Sequence, residues 1–484
     1  MPEDGGILTR VSRNTAILTI AQVIEKAINF FLVVLLMRYL QKDLFGQYSF
    51  ASSYVLLFNV MVGLGFAALC TREMSRRMDE APRILSAALV PMVFSSLFAM
   101  VTIGISIFLS KPGQPVIVVA VLILTVDMIA NNIASIFDSV ARAHEHMLYS
   151  ALPTVSRSAV LLVLYLVLLP YGMGLVEVCA LVLCSSVVRL LMHVMFCHKV
   201  FHVAPAPEFD RALAKRLLVQ SYPMALISAF IIIYYKIDAV MLSYMRTNAE
   251  VGLYSAASTL AFAMVFLAGN FQQAVYPAMA KIYVNSKEQM LFVYRQSFKY
   301  LSMLGLPVGA GICVLAPRII MLVSGESYLD ATPALQVLAC AMVFMFVNGL
   351  MGYTLITVDA QKIFMKIVGA GAFMNVVLNM FLIPRYGIAG AAFSTVVAEA
   401  NANIACWIVL GRKYGISASL VDVLRSAICC CVMAVFVMFV DAYLPLPLVI
   451  VSGVLVYFAL LFISKGIGQS ELVLVKRLLR GKND

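Results

Sequence analysis

The feature that most limits what this chain can become is its near-unbroken succession of apolar runs, each long enough to cross a bilayer and each closed by charge, proline or glycine. A helix rises about 1.5 Å per residue, so roughly 20 apolar residues span a hydrocarbon layer about 30 Å thick. The composition follows: 63% of residues are hydrophobic, only 12% are charged, and the mean hydropathy is +0.97. The runs near residues 15 to 40, 45 to 70, 84 to 109, 115 to 141, 149 to 170, 173 to 198, 217 to 245, 252 to 280, 297 to 323, 332 to 358, 363 to 383, 387 to 410, 425 to 443 and 447 to 463 predict an all-α integral membrane protein of about 14 transmembrane helices. The first run is too long for a signal-peptide core and lacks a small-residue cleavage site after it, so it is read as a retained helix.

Lysine and arginine sort by side. Between alternate runs, 25 fall on the side of both termini and five (Arg38, Lys42, Lys111, Arg246 and Arg385) on the other. That asymmetry predicts a multi-pass protein of the cell inner or plasma membrane with cytoplasmic N- and C-termini. The net charge of +11 comes from these short clusters, not from a basic stripe interleaved with aromatics, which argues against a nucleic-acid partner. The tail "GQSELVLVKRLLRGKND" suits an amphipathic helix on the anionic inner leaflet. Cysteines such as Cys179, Cys184, Cys340, Cys429, Cys430 and Cys431 sit in apolar runs without metal-ligand spacing and read as small apolar fillers, and no metal or cofactor is expected.

Two phrases recur. "KDLFGQYSFA" at 42–51 is echoed by "NAEVGLYSAA" at 248–257, pairing Gly46 with Gly252 and Tyr48 with Tyr254; "LLPYGMG" at 168–174 is echoed by "LIPRYGIAG" at 382–390. The common spacing predicts a parallel duplication: an N-terminal six-helix lobe (1–200), a cytoplasmic linker (201–216), a C-terminal six-helix lobe (217–411), two additional transmembrane helices (412–464) and the amphipathic tail (465–484). Two pseudo-symmetric lobes facing a midplane cleft are the arrangement of a secondary transporter.

Ionisable groups inside the bilayer are costly and therefore candidates for function. Thr15, Thr19, Gln22, Lys26 and Asn29 form one stripe on the first helix with Glu25 beside it, and Lys26 lies about 16 Å from the cytoplasmic end. A structural ion pair between helices is the alternative for Glu25 and Lys26. Asp127, Asn131, Asp138 and Arg142 share the fourth helix, the last two as an i,i+4 pair that Asp359 and Lys362 would mirror. Arg157, about 13 Å deep, must face a cavity or a carboxylate. Lys236 and Asp238 follow on the seventh helix, and Asn270 and Gln273 on the eighth. Arg189 and Arg318 are placed to snorkel or cap, whereas Asn375, Asn379, Glu399, Asn401 and Asn403 read as hydrogen-bond glue between helices. The surplus of buried bases suits a phosphate or pyrophosphate head group.

The segment "YYKIDAVMLSYMRTNAEVGLYSAASTLA" at 234–261, with "LFGQYSFA", "YPAMAKIY", "GESYLDATPALQVLA" and "YGIAGAAFSTVVAE" in order along the chain, resembles the polysaccharide transporter or oligosaccharide flippase family of the multidrug, oligosaccharidyl-lipid and polysaccharide exporter superfamily. The resemblance implies a non-enzymatic flippase that moves a polyprenyl-diphosphate-linked oligosaccharide to the outer leaflet by alternating access. Its partners would be that lipid-linked oligosaccharide, membrane lipids and other polysaccharide-assembly proteins. It further implies diphosphate binding by Lys26, Arg157, Lys236 and Arg189, coupling to H+ or Na+ through Glu25, Asp127 or Asp238, and a cavity lined by Gln22, Asn29, Asn131, Asn270 and Gln273. Two alternatives stand beside it: a cation-coupled multidrug or metabolite exporter of the same fold, disfavoured by the excess of buried bases, and a membrane-embedded glycan polymerase or ligase, disfavoured by short external loops without paired carboxylates.

Overall fold

The computed structural model describes residues 4–464 and Gly466. The amphipathic tail expected after 464 therefore lies outside the described residues. Among those described, the regular structure is helical: α1 (Asp4–Leu57), α2 (Asn59–Gly63), α3 (Phe66–Arg76), α4 (Ala81–Ser110), α5 (Pro115–Ala143), α6 (Met147–Leu168), α7 (Leu175–Lys199), α8 (Arg211–Met245), α9 (Asn248–Phe262), α10 (Val265–Asn285), α11 (Lys287–Val323), α12 (Thr332–Thr357), α13 (Gln361–Tyr414), α14 (Leu420–Val440) and α15 (Leu446–Ile463). Among the described residues eleven helices are long and apolar enough to cross a membrane, or up to 12 if the α9–α10 pair, bent by 43°, is one span.

Two helices of 54 residues each are not straight rods. Gln41 (φ 54°, ψ 179°) interrupts α1, and Gly387 (φ 56°, ψ −132°) interrupts α13. Residues eight apart in a straight helix are about 12 Å apart, yet a β-carbon on Gly390 would strike the carbonyl of Leu382, so α13 doubles back. Asn29 and Tyr48 line one cavity, so α1 doubles back as well.

The contacts divide the chain into two compact units, Met1–Gly252 and Leu253–Asp484. In the first, α8 packs on α1, α2, α3 and α4. The two copies of the repeated phrase meet here through their glycines. A β-carbon on Gly46 would collide with the Asn248 carbonyl and lie 2.9 Å from Gly252 N, while one on Gly252 would collide with the Lys42 carbonyl and lie 3.2 Å from Gly46 N. The contact is reciprocal, Lys42 and Gly46 against Asn248 and Gly252, and only a residue without a side chain permits it. In the second pair of phrases Gly172 (φ 86°, ψ 37°) and Gly387 (φ 56°, ψ −132°) both take a positive φ at the turn between helices, with different ψ.

The second predicted span departs from the expected continuous helix over 45 to 70. It is broken between α2 and α3, where Leu64 (φ 46°) and Gly65 (φ 71°) are both left-handed. The cause is a close approach: a β-carbon on Gly65 would lie 2.9 Å from Ser221 O and 3.3 Å from Ala225 N on α8.

Lys111, in the connection between α4 and α5, is only 8% exposed. Its Nζ donates to Ser243 O at 2.6 Å and lies 5.1 Å from the ring centre of Phe50 and 4.8 Å from that of Tyr244. The ammonium thus covers the carbonyl-rich end of α8 and the two aromatic faces. Burial pushes its pKa below the ordinary lysine value.

In the second unit, Met290, Tyr294, Leu301, Met342, Phe346 and Leu350 form the core between α11 and α12. The last two helices attach to α11 through Met303, Leu315, Cys430, Met433 and Leu461, with the Tyr457 hydroxyl donating to Met303 O at 2.9 Å. Cys70, Cys179, Cys197, Cys406, Cys429 and Cys430 are buried as apolar fillers, whereas Cys184, Cys340 and Cys431 are exposed. Outward faces are apolar as lipid requires; α4 alone presents Phe94, Leu97, Phe98, Val101, Ile105 and Phe108.

Two outcomes follow from these packings. Gly46→Ala or Gly252→Ala should lower stability in detergent by about 2 kcal/mol through overpacking, whereas Gly269→Ala, which meets open space, should not; equal melting temperatures for all three would refute the contact. For Lys111, the unfolded chain holds the proton more tightly than the folded one, so keeping the folded amine charged penalises stability at neutral pH. That penalty fades as pH rises through the folded pKa. Wild type should gain stability relative to Lys111→Met as pH rises toward the ordinary lysine pKa of about 10.4 in a thermal series, and a constant difference would contradict this.

Candidate functional site

A polar network crosses the interior of the first unit. On α5, Asp127 and Asn131 are one turn apart on the same face; on α7, Ser186 and Arg189 are likewise neighbours; α6 contributes Arg157 and Ser158. Arg157 Nη2 lies 3.9 Å from Asp127 Oδ1, and its Nε donates to Ser186 Oγ at 2.9 Å. The Asn131 amide nitrogen lies 2.9 Å from both Asp127 O and Ser186 Oγ and 3.2 Å from Asp127 Oδ1. That is one acceptor more than it has hydrogens, so these bonds are shared. Arg189 Nη1 donates to Asn131 Oδ1 at 2.9 Å, and its buried Nε has no acceptor among the described residues. Arg157 thus reaches the Asp127 carboxylate directly and Arg189 reaches it through Asn131, while Glu25 and Asp138 also lie close enough to act on Arg189.

Beside the network lies a cavity of about 210 Å³ lined by Asn29, Tyr48, Arg157, Ser158 and Tyr165. Ser158 Oγ donates to Asn29 Oδ1 and Asn29 Nδ2 to Glu25 Oε1, both at 3.4 Å. The Tyr165 hydroxyl is buried with no partner among the described residues. Arg157 thus faces a cavity and a carboxylate at once.

The other sequence-predicted residues are not drawn into this network. Gln22 and Lys26 are exposed on α1, and Lys26 makes no hydrogen bond or ion pair among the described residues. Lys236 on α8 is likewise exposed and without an ion pair among them, although Asp238, two residues on, is buried. In the second unit Asn270 is half-buried and Gln273 exposed; their neighbour Gln272 is the buried amide, donating to Phe346 O at 2.8 Å. Arg189 is bonded to Asn131 and does not snorkel, whereas Arg318 pairs with Asp441 at 2.9 Å and donates to Leu444 O at 3.0 Å. Asp138 and Arg142 form the expected pair at 2.7 Å. In α12 and α13, Asn348 donates to Glu399 at 3.0 Å and Asn403 to Phe344 O at 3.3 Å, joining the two helices. Sequence reasoning missed Ser158, Ser186, Tyr48 and Tyr165; a serine or tyrosine in an apolar run carries no signal of its own, though Tyr48 stands inside the repeated phrase.

Residues 11–283, more than half of the chain, match the model of the family described as polysaccharide biosynthesis protein. The chain belongs to that family. Its curated relatives, a membrane protein of Methanocaldococcus jannaschii among them, are matched over only 35–38% of their own length. One of these, described as a probable low-salt glycan biosynthesis flippase of Haloferax volcanii, is 23% identical over 164 residues, 34% of this chain and 35% of that protein. Among solved structures, the lipid II flippase MurJ in an inward closed conformation superposes with a TM-score of 0.76 at 14% identity, over 94% of this chain and 99% of that one. A multidrug resistance MATE family transporter of the MOP superfamily in an inward-facing conformation superposes with a TM-score of 0.65 at 17% identity, over 83% and 98%. These likenesses show that this polysaccharide biosynthesis family member shares the fold of those two transporters.

For this family member, Arg157→Ala would strand the Asp127 carboxylate and lower stability by about 2–3 kcal/mol, since removing one partner of a buried pair leaves an uncompensated charge. The neutral pair Asp127→Asn with Arg157→Gln should recover most of that loss in a denaturation series. If the double variant is no more stable than Arg157→Ala, the network does not hold the first unit together.

Proposed function

We propose that the protein is a flippase that carries a polyprenyl-diphosphate-linked oligosaccharide from the cytoplasmic to the outer leaflet by alternating access, without catalysing a covalent step. Splitting each doubled-back 54-residue helix and counting the bent α9–α10 pair as one span gives fourteen spans, in keeping with two six-helix lobes and two further helices, and the charge asymmetry favours cytoplasmic termini in a cell inner or plasma membrane. Family membership and the flippase among the fold neighbours support the reading. The observation that carries it is the state of the two lysines. Lys26 and Lys236 lie deep within spans, are exposed, and have no ion pair among the described residues. An ammonium is costly against hydrocarbon at that depth, which supports the reading that both face water. They are the bases available to a diphosphate, with Arg157 and Arg189 as a reserve already held by Asp127 and Asn131. Glu25, Asp127 and Asp238 are the acids through which H+ or Na+ would be coupled, and assembly proteins that supply and extend the glycan are its expected partners.

A second reading, a cation-coupled exporter of small molecules, is favoured by the MATE neighbours. The readings separate in proteoliposomes. A flippase moves a fluorescent prenyl-diphosphate-linked sugar between leaflets, and Lys26→Ala or Lys236→Ala, each removing a charge-assisted hydrogen bond, slows it roughly 10- to 100-fold. Full activity in both variants removes these lysines from the site, and cation-driven efflux of a dye with no leaflet transfer favours the exporter.

A further inference from the structure

The break in the second span has a use that the cationic residues do not account for. It falls inside the expected span over 45 to 70, seven residues or about 10 Å of helix before Arg72, the first charge on α3. Irregular backbone at that depth persists only where protein covers it or where it lines an aqueous cavity. Such a cavity, of about 260 Å³, is present within the first unit, lined by Asn59, Gly63, Leu64, Asn132, Ser135 and Ser228. Gly65 stands at the N-terminus of α3 with no side-chain cap, and Leu64 holds a left-handed conformation that non-glycine residues adopt at a cost, as they do at functional sites.

The hydrogen-bonding inventory defines what would fit. Asn132 Nδ2 donates to Asn59 Oδ1 at 2.8 Å and to Met128 O at 2.9 Å. Both of its amide hydrogens are thereby used, which leaves the Asn132 carbonyl as an acceptor and the Asn59 amide as a donor, side by side and without further partners among the described residues. The exposed Ser228 hydroxyl, which can do either, is equally unpartnered among them. Gly63 keeps the approach open, since a β-carbon there would lie 2.7 Å from Asn132 Oδ1. The lining contains no carboxylate, lysine, arginine or histidine. A diphosphate would lack its counter-charge there and a metal ion its anionic ligands. A neutral group rich in hydroxyls, each of which donates and accepts, is matched.

We propose that this cavity is a sugar subsite, which binds a pyranose of the lipid-linked glycan through Asn59, Asn132 and Ser228 separately from the bases that hold the diphosphate. The assignment rests on the flippase reading. Its test uses the full-length protein in proteoliposomes with two fluorescent probes, a prenyl diphosphate bearing a hexose disaccharide and the same lipid without sugar. Asn59→Leu and Ser228→Leu, the latter at an exposed position, should each slow transfer of the sugar-bearing lipid about tenfold and leave the bare prenyl diphosphate unchanged. Equal loss with both lipids would make the break a structural element and overturn the subsite, as would unchanged transfer of both. A wild type that moves neither lipid would overturn the flippase reading, and the subsite with it.

Discussion

A bilayer offers no water to a stray amide, carbonyl or charge, and each polar feature of this protein answers to that constraint. Helices satisfy their own backbone, so the chain is built from them almost throughout. Several departures from helix and several deep charges have a partner or a cavity beside them: Asp127 and Ser186 beside Arg157, Asn348 beside Glu399, the end of α8 beneath Lys111, and a hollow beside the break at Leu64 and Gly65.

The first unit separates two kinds of basic residue. Arg157 and Arg189 belong to a cross-linked lattice that spans three helices, and their guanidinium forks suit fixed, directional bonds. Lys26 and Lys236 are compact charges on flexible stems, with no ion pair among the described residues. A point charge on a flexible stem holds an anion less rigidly than a guanidinium fork already committed to an acid. The second unit spends its polar groups differently, since Gln272, Asn348 and Asn403 tie helix to helix.

Much of this was legible in the sequence because bilayer physics leaves few options. Run length gave the spans, since nothing else buries so long an apolar stretch, and the repeated Gly-x-Tyr-Ser phrase marked a contact that only glycine can make. Asp127, Asn131 and Arg157 declared themselves as charge or amide at depth. The break in the second span did not. The stretch around Gly63 and Gly65 is apolar enough to pass for a continuous helix, and what disrupts it is the main chain of Ser221, some 150 residues away in sequence. The hydroxyls of Ser158 and Ser186 were silent for a related reason: a serine within a span becomes informative only when the helix opposite it is known. Arg189 was read as an end-of-helix group from its distance along the chain, whereas its partner Asn131 comes from another helix.

The reciprocal seat of Gly46 and Gly252 has a bearing on how such a chain can vary over time. Each copy of the duplicated phrase supplies the carbonyl that forbids bulk in the other, so neither half can accept a larger residue at this position while its twin stays put. The two segments, free to vary elsewhere, are here mutually policed, and a small residue at each position persists as steric necessity.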